Sequence, residues 1–506
     1  MSNGSRPPTS TQQKHAPDGV ILALVCVAQF MVVLDVSIVN VALPSIGKDL
    51  HYTPSGLQWV VNAYVLTFAG FLLLGGRAAD LFGRRRVFII GLALFSLASL
   101  LGGLAQTSAQ LTAARAAQGL GGAVLSPATL TIIMTTFTDG RARHRAIGTW
   151  SAVAGAGGAA GAILGGVLTS WLSWRWVFFV NVPIGVLAIA AAYRLLHESR
   201  ATLADRSLDI AGAVTVTAGL SSLVYAIVGT DTHSWGSTDT LVPLALSGVL
   251  IATFVFIEAR VAKAPLMPLS LFKSRSLSVA NGVMALLGIV FFSMWYFLTL
   301  YLQLVHGYSP IKAGVLFFPM GLTIIAGAQT AARLVTDRGP RRVLMMGLTL
   351  TTGGFFWLAQ LSASSSYAAG VLPASLLTTF GAGLCFTPLA AAATSGVPPT
   401  LAGLASGVLN TSRQIGGSIG LAALATLATA RTDDVLAAHG GRHPAPVALT
   451  EGYDRAFLVA AFITLLAMLT STLLPKQPRP PAPERVNDQV RPELGAPTPA
   501  VASDAT

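Results

Sequence analysis

Charge is scarce in this sequence. Of its 506 residues only 10% are Asp, Glu, Lys or Arg, where a soluble domain carries about 25%. A chain of this size folded in water needs a charged surface. This one cannot cover that surface, so lipid must be the solvent for most of it. Cysteine is nearly absent: Cys26 and Cys385 both lie inside apolar runs, which excludes a disulfide scaffold and points to free buried thiols. No Gly-x-x-x-x-Gly-Lys-Ser/Thr loop occurs, which argues against an ATP-driven pump. No His/Cys cluster has metal-ligand spacing, and no carboxylate or histidine cluster suggests an active site. The sequence therefore gives no sign of an enzyme, and no cofactor or metal is expected. The polar stretch 1–18 lacks the apolar core of a cleaved leader, and the first apolar run leads straight into others.

What is abundant is apolar length. Hydrophobic residues make up 53% of the chain and glycine contributes 51 positions, as expected where helices meet closely within a membrane. Segments of about 20 residues suffice to cross the hydrocarbon core. They recur near 20–43, 57–76, 87–106, 110–136, 146–170, 177–196, 208–229, 241–259, 277–304, 313–335, 343–361, 369–396, 402–430 and 456–475. The pattern predicts an all-α polytopic membrane protein with fourteen spans and both termini on one side.

The net charge of +12 would suggest nucleic acid in a soluble chain. Here its placement matters more. With the N-terminus inside, 24 of the 32 Lys/Arg fall on the cytoplasmic side and 6 on the outer side. Only Arg115 and Arg413 remain deep within spans. This bias orients the chain with both ends cytoplasmic. No nucleic-acid partner is expected, only the bilayer itself.

One internal repeat stands out. Gly76-Arg-Ala-Ala-Asp-Leu-Phe-Gly83-Arg-Arg-Arg86-Val-Phe-Ile-Ile-Gly91 aligns with Ala332-Arg-Leu-Val-Thr-Asp-Arg-Gly339-Pro-Arg-Arg342-Val-Leu-Met-Met-Gly347, 339 − 83 = 256 residues later. Each copy is a basic turn between two spans. Two six-helix halves related by such a repeat are a transporter architecture, and the offset leaves room for one extra pair of spans. The expected organisation is a tail over 1–18, a first bundle over 19–197, a linker with two additional spans over 198–275, a second bundle over 276–475, and a proline-rich disordered tail over 476–506. The stretch 431–455 reads as a long outward loop.

Several motifs then resemble one known group. Leu34-Asp-Val-Ser-Ile-Val-Asn-Val-Ala-Leu-Pro44, the turn Gly76–Arg86, Arg115-Ala-Ala-Gln-Gly119 and Trp174-Arg-Trp-Val-Phe-Phe-Val-Asn-Val-Pro-Ile-Gly185 lie in the first half. Tyr301-Leu-Gln-Leu-Val-His-Gly-Tyr-Ser-Pro310 and Gly407-Val-Leu-Asn-Thr-Ser-Arg-Gln-Ile-Gly-Gly417 lie in the second. Together, over about 20–475, they resemble the major facilitator superfamily, and within it the fourteen-span drug:proton antiporters of bacteria. Gly161-Ala-Ile-Leu-Gly-Gly166 is similar to the exporters' fifth-helix motif, with Ala162 where that motif has proline and Leu81 where the loop motif has a basic residue. The resemblance implies a major facilitator fold in the bacterial inner membrane, acting as a monomer. It also implies proton-coupled export of small amphipathic organic compounds such as drugs or antibiotics. An uptake or metabolite facilitator of the same fold is the alternative reading.

A few residues could carry such work. Asp35 is read as the only acidic residue deep within a span, near the outer end of the first helix. An unpaired carboxylate costs several kcal/mol there, so it must find a partner, a cavity or a proton. Burial favours the neutral acid and a nearby cation the carboxylate, so a site that alternates between the two can carry a proton. Arg115, which stays charged when buried, is the candidate partner, and Arg413 is expected in a comparable place in the second half. No histidine falls inside a predicted span, which leaves proton coupling to Asp35. Asp80, Gly83, Arg84, Arg85 and Gly339 are expected to gate at the repeated turns. Gly161, Gly165 and Gly166 are read as helix-packing positions. Gln29, Asn40, Asn62, Tyr64, Trp295, Tyr296 and Gln303, with Arg413, are the polar and aromatic residues within spans that a substrate could touch.

Overall fold

The computed structural model describes residues 17–475 apart from 138, 201–206, 231, 399–400 and 439–444. The expected tails therefore lie outside the described residues, except for 17 and 18. The long helices are α1 (Asp18–Asp49), α2 (Gly56–Phe82), α3 (Arg84–Gly103), α4 (Ser108–Thr136), α5 (Gly140–Trp171), α6 (Trp176–Leu195) and α7 (Ile210–Gly229). They continue with α8 (Thr238–Val261), α9 (Arg275–Val305), α10 (Pro310–Arg338), α11 (Pro340–Leu358), α12 (Tyr367–Thr394), α13 (Ala402–Ala438) and α14 (Ala445–Ser471). All but α11 and α13, twelve helices, are long and apolar enough to cross a membrane.

Local chemistry sets the helix starts. The side chains of Thr107, Asp139, Asp209, Ser309 and Ser366 each accept a hydrogen bond from a backbone N–H three residues on, satisfying donors that a first turn leaves free. Pro310 and Pro340 open α10 and α11, where a missing N–H costs nothing. Large apolar side chains such as Ile90, Leu97, Leu187, Val249, Phe256, Phe462 and Leu469 point outward and stay exposed. Such a surface suits lipid and not water.

The helices pack as two copies of one pattern. In α1–α6 the first helix packs on the fifth, the second on the fourth, and the third on the fourth and sixth. In α9–α14 the same pairs recur: α9 on α13, α10 on α12, and α11 on α12 and α14. The repeated turns match in backbone as well. Gly83 and Gly339 both have positive φ, 107° and 76°, a region that favours glycine, and each joins two helices end to end. The halves meet where α5 packs on α10 and α2 on α13. The added helix α7 covers the second seam, with Leu220 and Val224 packed among Leu66 of α2 and Ala422 of α13.

Three readings of the sequence change. α1 runs on to Asp49, so Asp35 sits in mid-helix and not near its end. α13 continues to Ala438 and α14 begins at Ala445, so most of the expected loop 431–455 is helical. α5 starts at Gly140 and takes in His144, which had been assigned to a loop.

Candidate functional site

Helix periodicity brings the motif residues of the first half to one point. Asp35 of α1 is 0% exposed and Arg115 of α4 1%. Arg115 Nη1 donates to Asp35 Oδ2 at 2.5 Å and to Gln118 Oε1 at 2.7 Å, while its Nε donates to the Val60 carbonyl of α2 at 2.9 Å. Gln118 lies one helical turn after Arg115, so both reach the same face of α4. The other carboxylate oxygen, Oδ1, accepts from Gln118 Nε2 at 2.7 Å and from Asn181 Nδ2 of α6 at 3.1 Å. Ser99 of α3 accepts from both amides and donates to the Phe178 carbonyl at 2.8 Å.

Five helices are thus joined through one buried ion pair. The Arg115 guanidinium also lies over the Tyr64 ring, 4.4 Å from its centroid, a favourable contact for a desolvated cation. Removing one partner of such a pair strands a charge, which is far costlier than never burying the pair. Among the described residues two polar atoms of the site have no partner: Asn181 Oδ1 and the Tyr64 hydroxyl. Sequence reading named Asp35 and Arg115 but gave no role to Gln118, Asn181 or Ser99. Gln118 and Asn181 already stood inside quoted motifs, and their membrane-depth amides were the available signal.

The other candidates spread over three places. Gln29 accepts from Ser126 Oγ at 3.1 Å between α1 and α4, and Asn40 donates within its own helix, to the Val36 carbonyl. Tyr64 and Tyr296 are buried in packing, the latter edge-on to Phe297. Trp295 lies edge-on to Phe291 and Phe317. Asn62 and Gln303 bridge the halves: Asn62 Oδ1 accepts from Ser418 Oγ at 3.0 Å, and Gln303 Nε2 donates to the Val41 carbonyl at 2.8 Å. The second of these, with the Ile311 N–H to Ser170 Oγ bond of 3.1 Å, ties the halves together at the face opposite the start of α1.

The glycines of α5 have two partners. A Cβ on Gly161 or Gly165 would stand 2.7 Å from atoms of Ser37 or Ile38 on α1, and one on Gly166 would stand 2.6 Å from Ile311 on α10. Ala162, in the proline's place, leaves α5 unbroken over its 32 residues, and its carbonyl fills the space beside Gly314 of α10.

At the first repeated turn Asp80 pairs with Arg84 at 3.1 Å. Arg85 Nη2 donates to the Tyr193 carbonyl at 2.6 Å, and its guanidinium lies 4.7 Å from the Tyr193 ring centroid. Glu198, unremarked in the sequence, accepts from the N–H groups of Arg85 and Arg86 at 3.3 Å each and crowds Gly83. It caps α3 from the chain that leaves α6. Nothing crowds Gly339 within 4 Å.

Arg413 differs from the expectation. It belongs to α13, which by its packing is the counterpart of α5 and not of α4, so it is no equivalent of Arg115. Among the described residues its guanidinium meets one acceptor, Asn410 Oδ1 at 2.9 Å. Two further acids lie in long helices: Glu258, 5% exposed in the last turn of α8, and half-buried Asp454 of α14, whose Oδ1 has no partner among the described residues. Asp454 had been placed in a loop that the structure shows to be helix.

A lipid-facing bundle of two repeated halves, with a charged pair sealed at its depth, defines a secondary transporter. The chain belongs to the Major Facilitator Superfamily, whose family model matches residues 25–421. It is 43% identical over 468 residues to the cephamycin export protein of Amycolatopsis lactamdurans, covering 92% of this chain and 94% of that one. It is 40% identical to the puromycin resistance protein of Streptomyces alboniger, covering 89% and 90%. Among solved structures it is similar to an inward-facing bacterial homologue of the lysosomal transporter Spinster, with a TM-score of 0.64 and 16% identity over 90% of this chain and 97% of that one. A D-xylose–proton symporter matches with a TM-score of 0.63, 14% identity and coverage of 90% and 98%. These two show the fold alone. The protein is thus a multi-pass transporter of a bacterial membrane.

Proposed function

We propose that the chain is a proton-coupled exporter of amphipathic organic compounds, antibiotics among them, working by alternating access. The observation that carries the reading is the sealed Asp35–Arg115 pair in a chain whose relatives are named for antibiotic export and resistance. A carboxylate at this depth must be paired or neutral. Paired with Arg115 it is the charged form. A proton arriving from outside gives the neutral acid and weakens the tie between α1 and α4. Arg115 keeps its bonds to Val60 and Gln118 and its place over Tyr64. The vacant Asn181 Oδ1 can accept the new O–H once its amide turns over. The site therefore has a hydrogen-bond pattern for each protonation state.

In this reading all fourteen helices cross the inner membrane and both termini are cytoplasmic, following the Lys/Arg bias. Residues 19–197 and 276–475 form the two rocking bundles, with 198–275 as an inserted pair, and the protein acts as a monomer. The bonds at Gln303 and Ser170 then close the outer face, leaving the substrate path open to the cytoplasm. Asp80, Gly83, Arg84, Arg85 and Gly339 form the inner gate. Gln29, Asn62, Trp295 and Arg413 are the proposed substrate contacts. Inside-out vesicles energised with an acid lumen should accumulate the exported compound. Flux that ignores the pH gradient and runs equally both ways would instead mark a facilitator.

A further inference from the structure

The second half holds a cavity that the proton site does not use. It is small, about 10 Å³, and lies between α9, α11, α12 and α13, walled by Phe291, Phe355, Phe386, Thr351, Thr378 and Arg413. Its place repeats that of the polar network in the first half. The offset that relates the two turns puts Phe355 (99 + 256) where Ser99 stands, and the helices involved, α9, α11 and α12, are the counterparts of α1, α3 and α4. One half thus fills this position with a fully paired arginine and carboxylate. The other leaves it apolar, with an arginine and no acid.

The polar groups around the cavity make the contrast sharper. Thr378 donates its hydroxyl to the Ala374 carbonyl of its own helix, and Thr351 donates to the Gly347 carbonyl and, at 3.4 Å, to the Thr378 carbonyl of α12. Arg413 has five N–H donors and, among the described residues, uses one, on Asn410. No carboxylate pairs with it and no ring lies under its guanidinium among the described residues. Its backbone is held firmly, since the Arg413 carbonyl fills the space beside Gly288 of α9. A cation at membrane depth calls for an anion, and the described residues supply none in an ion pair with Arg413.

We propose that this cavity widens in the transport cycle to take the carboxylate of an exported organic acid, with Arg413 as its counter-ion and the apolar body of the compound along Phe291 and Phe386. This rests on the exporter reading and adds to it the charge class of the substrate. A planar guanidinium suits a carboxylate because it can donate two parallel bonds. The aromatic rings supply area without offering competing acceptors.

The test uses the full chain in lipid nanodiscs and two acid–ester pairs: cefoxitin and 1-naphthaleneacetic acid, each with its methyl ester. Affinity is read from tryptophan fluorescence. The acids should bind at least about tenfold tighter than their esters, the size expected of a charge-assisted hydrogen bond lost. Arg413→Gln should bring acid and ester affinities together, while Arg413→Lys should keep part of the preference. Equal affinity for acid and ester in the wild type, failure of both acids to bind, or an unchanged preference in Arg413→Gln would each overturn the proposal. If Arg413→Gln does not fold, the wild-type ratio and Arg413→Lys decide. Proton-driven flux in proteoliposomes separates the two readings. Acid preference without proton-driven flux removes the exporter reading and keeps this site, whereas flux without acid preference does the reverse.

Discussion

Arg115 and Asp35 stand 2.5 Å apart on α4 and α1, and each is held from behind by an amide of another helix or turn. The pair is a structural bolt and, in the proposed function, also the proton site, and the two roles separate by substitution.

Arg115→Ala leaves a buried carboxylate without a cation. It should cost about 3–5 kcal/mol of stability, read as a fall in the thermal unfolding midpoint in detergent. Adding Asp35→Asn should recover much of the loss, because the stranded charge is gone. A double variant no more stable than Arg115→Ala would show that the pair is not what holds α1 to α4.

Gln303→Leu removes the bond from α9 to the Val41 carbonyl of α1. A net loss of about 1 kcal/mol corresponds to a roughly fivefold shift between states. Spin labels at Thr53 and Tyr308 should show more of the long-distance population by electron–electron resonance. An unchanged distance distribution would mean that this bond does not help to close that face.

Ala162→Pro places in α5 the proline that the resemblance to the exporters' fifth-helix motif leads one to expect. It removes one helical hydrogen bond, and the ring crowds the carbonyl four residues back, at a cost of about 3 kcal/mol if α5 cannot kink. Because the Ala162 carbonyl sits beside Gly314, the kink should also part α5 from α10. Cysteines at Ser170 and Ile311 should then cross-link more slowly than in the parent. Equal cross-linking would show that α5 absorbs the proline without moving against α10.

Glu198→Ala uncaps α3. Two backbone bonds and an ion pair to Arg86 at 3.6 Å would be lost, for about 1 kcal/mol. Faster amide hydrogen exchange at Arg85 and Arg86, with the second repeated turn near Gly339 unchanged, is the expected signature. Unchanged exchange at the first turn would rule out the capping role.

Much of this was legible in the sequence for physical reasons. Apolar runs of membrane length give the helices, and the paired turns at Gly83 and Gly339 announce the repeat, because a positive φ between two helices leaves glycine in both copies. The Asp35–Arg115 pair was legible because charge is costly at that depth and few candidates existed. Gln118, Asn181 and Ser99 were not singled out, since an amide or hydroxyl in a helix is cheap enough to have many explanations. Nor was the capping role of Glu198, a contact across 113 residues that no local pattern encodes. The place of Asp454 was missed because Pro446 and the polar first turns of α14 look like loop, although proline is tolerated at a helix start.

Proton coupling through Asp35 is the centre of the account. It is tested most directly by measuring proton and drug fluxes together in proteoliposomes holding wild-type or Asp35→Asn protein, using whichever of cefoxitin, puromycin and tetracenomycin C the wild type moves. A pH gradient should drive accumulation in the wild type. With Asp35→Asn, accumulation and drug-dependent proton flux should fall at least about tenfold, while exchange of drug down its own gradient persists. Wild-type accumulation by Asp35→Asn under the same gradient would contradict it.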